Sequence, residues 1–280
     1  MHIRYDIELT DSNFGRLGLS LLFTAFFAAL LAPVLTNSSP TAYTGDIFHP
    51  PCTKYWLGTN EVGQDIWTQL IYGARTSLTI AGGTAFMAVA LSLLAGGLAA
   101  LYGGLCDRTI MRIVDIWLVI PPIIVIILFA AYLHPSLVLL ITLLAAFMWP
   151  DGTRIVRAQT LVLKTKASYA AATTFGATKQ YLLRKHVLPD LGPTLIALFI
   201  HYARRAIFME AGLSFLGISD PSLISWGKMM QQALAFTYLD VWQWWLIPPG
   251  LAVSLTIAGL AFTGLALETA LDPRLRPEKR

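Results

Sequence analysis

The residues best equipped for chemistry lie in the run "LIALFIHYARRAIFMEAGLSFLG", Leu195 to Gly217, where His201, Arg204, Arg205 and Glu210 interrupt a largely apolar stretch. A guanidinium at the centre of a membrane helix costs about 2.5–3.5 kcal/mol on insertion scales, so such residues face a cavity or a partner. The two arginines could pair with acids on a neighbouring subunit or snorkel toward a headgroup. They could also line a pathway and favour an anionic cargo. His201 and Arg205 are four apart and share a helix face. Arg204 points about 100° away, so at most one of these faces borders a pathway. No nucleophile stands at a useful spacing from a base, so no catalytic site is expected. His49 and Cys52 are only two possible metal ligands, too few to imply a site. Cys52 and Cys106 lie in different regions and form no redox motif. A G-x-x-x-x-G-K-[ST] phosphate loop is absent, so the chain is not expected to be an enzyme.

The elements that must position these groups belong to a lipid solvent. Of 280 residues, 56% are hydrophobic and 13% charged, with a mean hydropathy of +0.62. A soluble domain carries about 25% charged residues. A bilayer core of about 30 Å needs roughly 20 apolar residues per helix. Six runs approach this: Leu17–Leu35, Ser77–Tyr102, Ile113–Leu133 with Asp115 and Pro121-Pro122, Ser136–Trp149 ending at Pro150, Pro193–Gly212, and Trp244–Leu267. The expected fold is all-α and polytopic, with about six transmembrane helices. The first run is longer than a signal core and follows acidic residues without a cleavage site, so it reads as a retained anchor. The net charge of +4 is too small to suggest nucleic acid as a partner.

Charge distribution orients the chain. Fifteen of the 20 Lys and Arg fall on the side of both termini, and three, Lys54, Arg75 and Lys228, on the other. This bias places both termini in the cytoplasm. The organisation is then a cytoplasmic segment 1–16, a transmembrane domain 17–268 and a cytoplasmic tail 269–280. The domain includes extracytoplasmic segments 36–76 and 213–243 and a cytoplasmic loop 151–190.

That loop contains "KASYAAATTFGATKQYLLRKHVLPDL", Lys166 to Leu191. Its Ala-rich first half favours helix. Gly176 can take the left-handed conformation that ends one. Thr178 is a fit N-cap for a second helix, which Pro189 is expected to halt. A helix–glycine–helix hairpin of this kind either rests on the membrane surface or docks on a partner.

The hairpin resembles the E-A-A-x-x-x-G … L-P motif of ABC-importer permeases, with Ala171, Ala172, Gly176 and Leu188-Pro189 matching. Three further blocks resemble the peptide/nickel importer family, second-subunit (C-type) branch. They are "YWLGTNEVGQDIWTQLIYGARTSL" (55–78), "EAGLSFLGISDPSLISWGKMM" (210–230) and "LDPRLRP" (271–277). They occur in order along nearly the whole chain.

The resemblance implies a type I importer permease fold in a bacterial inner membrane. It implies as partners a homologous second permease, two cytoplasmic ABC ATPases that bind ATP and Mg, and an extracytoplasmic substrate-binding protein, besides the lipid. No cofactor or metal is expected in this chain. Tyr169, Ala170, Ala171, Ala172, Gly176, Lys179, Arg184, Lys185, Leu188 and Pro189 would form the ATPase-coupling surface. His201, Arg204, Arg205 and Glu210 are candidates for the translocation pathway. The cargo would be a peptide, nickel or a metal–chelator complex, and the arginines tilt toward an anionic chelate. The sequence departs from the family at Ala170, where the motif has Glu, and at Asn60 and Gln64, where it has Asp and Arg. Coupling would then rely more on shape and on Lys179, Arg184 and Lys185. Two smaller expectations follow from spacing. Gly96, Ala100 and Gly104 would allow close packing along the second span, and Asp115 would pair with Arg112.

Overall fold

The computed structural model describes residues 12–36, 38–133 and 136–271. Most of the segment 1–16 and of the tail 269–280, with "LDPRLRP" past Leu271, lies outside them. Among the described residues there are helices and one isolated antiparallel bridge, Thr59 to Asp65. The chain opens with α1 (Asn13–Leu30), whose N-cap Ser12 accepts from the Gly15 N–H at 2.9 Å, and a single turn, α2 (Ala32–Leu35). A loop leads to α3 (Ile66–Tyr102), 37 residues and roughly 55 Å at 1.5 Å per residue. The helix starts eleven residues before the expected Ser77, because the Asp65 carboxylate accepts from the Thr68 N–H and hydroxyl and caps it. Gly104 is therefore outside α3. It opens α4 with φ +55 and open space beside it, so it supports no close packing.

The expected third span is broken. α4 (Gly104–Val119) and α5 (Pro122–Tyr132) meet at 80°. Pro121 and Pro122 offer no N–H, and Ile120 before them is extended at φ −77, ψ 121. The expected fourth span does not stop at Pro150. α6 (Leu137–Leu163) runs through it. A proline there leaves the Ala146 carbonyl without its helical donor. The Trp117 indole N–H of α4 supplies one at 2.6 Å.

The next elements are α7 (Ala167–Thr174), α8 (Lys179–Leu182), a π turn (Leu183–Val187) and α9 (Leu188–Phe215). They are followed by α10 (Trp226–Leu234), α11 (Trp242–Trp245) and α12 (Ile247–Leu271). Among the described residues, four helices are long and apolar enough to cross a membrane: α1, α3, α6 and the α11–α12 stretch Trp242–Ala270. The bent pair α4–α5 would make a fifth. The expected fifth run, Pro193–Gly212, is helical within α9 but does not reach that apolarity, because Arg204, Arg205 and Glu210 dilute it.

Two units cluster separately. One gathers the chain up to Gly82, 130–140 and the chain from Ala203. There α1 lies against α12 at a glycine pair. A Cβ on Gly18 would stand 2.7 Å from the Thr263 nitrogen and 2.9 Å from the Gly259 oxygen. Ile66, Ile80, Trp226, Met229 and Trp245 are buried in this unit. The other unit comprises Gly83–Phe129 and Ile141–Tyr202. Gly96 of α3 meets α6 there so closely that a Cβ would lie 2.7 Å from the Thr153 carbonyl oxygen. Gly152 faces Tyr202 and Ser92 in the same way, and the Tyr202 hydroxyl donates to Asp151 at 3.0 Å.

Candidate functional site

The hairpin expected at 166–191 forms, and its parts are held by named bonds. α7 ends in a complete Schellman turn. The Gly176 N–H donates to the Thr173 carbonyl and the Ala177 N–H to that of Ala172, both at 3.0 Å, with Gly176 at φ +78. The Thr178 hydroxyl then accepts from the Tyr181 N–H at 3.3 Å and starts α8.

Pro189 does not stop this helix. The π turn at 183–187 sends the Leu188 N–H back to the Leu183 carbonyl, a wider step than an α turn. The wide turn lets the chain pass into α9 with Pro189 in its first turn, where a missing N–H costs little. A salt bridge from Lys166 to Asp190 at 2.8 Å ties the two ends of the hairpin. Tyr169, Leu182, Val187 and Leu191 are buried beneath it. Burial pushes the Tyr169 phenol above its ordinary pKa.

On the outer surface the hairpin presents small, apolar and basic groups. Ala170, Ala171, Lys179, Arg184, Lys185 and Pro189 are exposed, and Ala172 is half-buried. Leu188 is also exposed. Tyr169, by contrast, points inward. The residue that sequence reasoning missed is Phe175, 91% exposed on the Schellman turn. The available clue was an aromatic immediately before a turn glycine, where an inward-facing side chain was equally compatible with the pattern.

The hairpin is also fastened to the end of α3. The Lys164 ammonium donates to the Ala100 carbonyl at 2.9 Å, and the Lys179 ammonium sits 4.0 Å from the Tyr102 ring centroid. Cations there also complement the negative end of the helix dipole. Farther along, Arg157 of α6 grips Asp107 of α4 through two N–H groups, and Arg154 pairs with Asp115. The expected Asp115–Arg112 pair does not form, since Arg154 reaches the carboxylate first.

The four pathway candidates share α9 but not an environment. His201 is exposed, its ring 5.8 Å from that of Tyr202; Arg204 and Arg205 are half-buried. Glu210 is 1% exposed. It accepts from the Ser214 hydroxyl at 2.8 Å and the Ser77 hydroxyl at 3.2 Å. Ser77 in turn accepts from the Trp226 N–H at 3.4 Å. Glu210 thus clasps α3, α9 and α10 from within. Among the described residues, no three His, Cys, Asp or Glu gather as a metal site. Cys52 is free and its sulfur accepts from the Tyr55 N–H.

Residues 88–277 match the family model of the binding-protein-dependent transport system inner membrane component. The chain belongs to that family. It is an ABC-importer permease subunit, a multi-pass membrane protein. It is 37% identical over 266 residues to a putative peptide transport system permease protein of Brucella suis biovar 1, covering 94% of this chain and 88% of the relative. It is 33% identical over 271 residues to the dipeptide transport system permease protein DppC of Bacillus subtilis, covering 96% and 84%. Its fold is that of the type I importer permeases. A chain of the MetNI methionine ABC transporter, in an inward-facing conformation, superposes with a TM-score of 0.58 at 19% identity, over 73% of this permease and 97% of that chain.

Proposed function

We propose that this permease forms one half of the channel of an ATP-driven peptide importer and that the 166–191 hairpin is its coupling element. The observation carrying the reading is the hairpin's form. It is a rigid, doubly capped turn with an exposed Phe175 and a basic fringe, fastened to α3 by Lys164 and Lys179. A lever needs both a grip on its driver and a stiff attachment to what it moves. The driver is a pair of cytoplasmic ATPases that hold the ATP and Mg. A homologous permease completes the channel, and a substrate-binding protein delivers cargo on the outer side. The charge bias of the loops supports cytoplasmic termini in a bacterial inner membrane.

Closure of the ATPases would push the hairpin, and Lys164 and Lys179 would pass the displacement to the end of α3. The helices would then reorient between outward and inward access. The relatives named as peptide and dipeptide permeases support peptide cargo over nickel or a metal chelate.

The test is the complete complex in proteoliposomes. ATP-dependent uptake of a labelled dipeptide is expected, with little uptake of a nickel chelate; the reverse preference would overturn the cargo assignment. Gly176→Val forces a β-branched residue into a left-handed position and should abolish uptake while ATP hydrolysis persists. Uptake and hydrolysis falling in step would remove the hairpin from the transmission path.

A further inference from the structure

A cavity of about 350 Å³ opens between α3 and the turn before α10, well away from the hairpin in sequence. Tyr72, Arg75, Thr76 and Thr79 of α3 form one wall and Ser222 the other, with Thr41 at the edge. Every lining residue belongs to the same unit of the fold. The lining has one cation, several hydroxyls and no Asp or Glu.

Arg75 takes part in none of the ion pairs among the described residues. Its guanidinium carbon lies 5.7 Å from the Tyr72 ring centroid, which restrains it by a cation–π contact. The neighbouring Asp220 carboxylate is occupied by the Ser222 N–H at 2.8 Å and hydroxyl at 2.6 Å. The Lys228 ammonium, bonded to the Pro221 carbonyl, offsets the Asp220 charge behind the same turn, which leaves Arg75 as the cation offered to the cavity.

The two walls are pinned from beneath. Immediately after Ile224, the Ser225 hydroxyl caps α10 by accepting from the Lys228 N–H. The Trp226 N–H then donates to Ser77 of the Glu210 clasp, and its indole N–H to the Leu70 carbonyl at 3.0 Å. Ser77, Glu210, Ser225 and Trp226 are all at most 3% exposed. Gly73 allows this approach, since a Cβ on it would stand 3.2 Å from the Trp226 ring. The cavity is therefore built on a buried hydrogen-bonded frame and does not depend on a chance fold of a loop.

We propose that this cavity is a docking pocket for an acidic side chain of the substrate-binding protein, whose carboxylate is received by Arg75 and the surrounding hydroxyls. Arg75, the one cation of the lining, is also one of only three cations on the face that the loop charges assign to the outside. The family's dependence on a binding protein supplies the occupant. A guanidinium with an open fork suits a carboxylate, to which it can donate two parallel bonds. The inference rests on the importer reading above for the side on which the pocket opens.

The experiment uses the assembled complex in nanodiscs of neutral phosphatidylcholine, titrated with substrate-loaded binding protein while ATP hydrolysis is followed. Arg75→Glu should raise the half-saturating concentration of binding protein at least ten-fold, with the rate at saturation within about two-fold of wild type. Arg75→Lys should retain most of the affinity, and Arg75→Ala should fall between. The wild-type half-saturation should weaken as salt rises, and Arg75→Ala should blunt that dependence.

An unchanged half-saturation in Arg75→Glu would overturn the proposal. So would a loss expressed only in the rate at saturation, or an effect that appears only with anionic lipid, which would assign Arg75 to a headgroup phosphate. If wild type itself fails to respond to binding protein, the importer reading has failed; if wild type responds and Arg75→Glu titrates identically, only the pocket has failed.

Discussion

Phe175 concentrates what the hairpin offers a partner. An aromatic side chain 91% exposed on a rigid turn contributes nothing to packing within this chain. Buried in a partner's pocket, it is the kind of anchor that dominates interface energies. Phe175→Ala should leave the thermal stability of the isolated permease unchanged within about 0.5 kcal/mol. It should reduce ATP-driven uptake at least ten-fold, as expected where an aromatic anchor of the interface is lost. A fall in stability with uptake intact would reverse the assignment.

Glu61 makes the opposite kind of prediction. Burial is the main cause that holds its carboxyl above the ordinary glutamate range, and its Oε2 has no hydrogen-bond partner among the described residues. A raised folded-state pKa means that the folded protein binds the proton more tightly than the unfolded chain. The associated stability is present at low pH and is lost as pH rises through the raised value. Glu61→Gln should therefore match wild type at about pH 4 and melt higher than it at about pH 8. A constant difference across that range would mean that the charge is not the cause. Neither residue was legible beforehand, because solvent exposure and desolvation are properties of the packed chain.

At the scale of the element, the sequence identified the punctuation but not always its consequence. Gly176 and Thr178 act as expected, because a left-handed turn and an N-cap need only local geometry. Pro150 and Pro189 do not break their helices, because tertiary contacts override the local rule. A π turn precedes Pro189, and Trp117 satisfies the carbonyl that Pro150 orphans. At Pro121-Pro122 the local rule prevails and the chain bends by 80°.

The Trp117–Pro150 pair can be tested by a double-mutant cycle. Trp117→Phe removes the donor, strands a carbonyl and should cost about 1–3 kcal/mol. Pro150→Ala restores the helical N–H, so the same Trp117→Phe change made in that background should cost less than half as much. Additive effects in thermal unfolding would show that the indole contributes by packing alone. Glu210, one of the pathway candidates along α9, has partners that its sequence position does not foretell: its carboxyl accepts from the Ser77 and Ser214 hydroxyls.

For the whole molecule, the arrangement of the two faces is the premise on which both the hairpin and the Arg75 pocket depend. Charge counting assigns the 36–76 segment to the outside and the 103–112 loop to the inside. The chain carries its own reporters, since Cys52 and Cys106 are both free, both half-exposed, and fall one in each of these stretches. In right-side-out membrane vesicles, a membrane-impermeant maleimide should label Cys52 and spare Cys106 until the membrane is permeabilised. Cys52→Ser and Cys106→Ser assign each signal to its residue. The reverse pattern would invert the molecule, placing the hairpin beyond the reach of a cytoplasmic ATPase and the Arg75 pocket beyond the reach of an external binding protein. Labelling of both thiols in sealed vesicles would place the two stretches on one side, incompatible with an odd number of crossings between them. α3 is the only helix between these cysteines that is long and apolar enough to span, so the experiment asks directly whether its 37 residues cross the bilayer once.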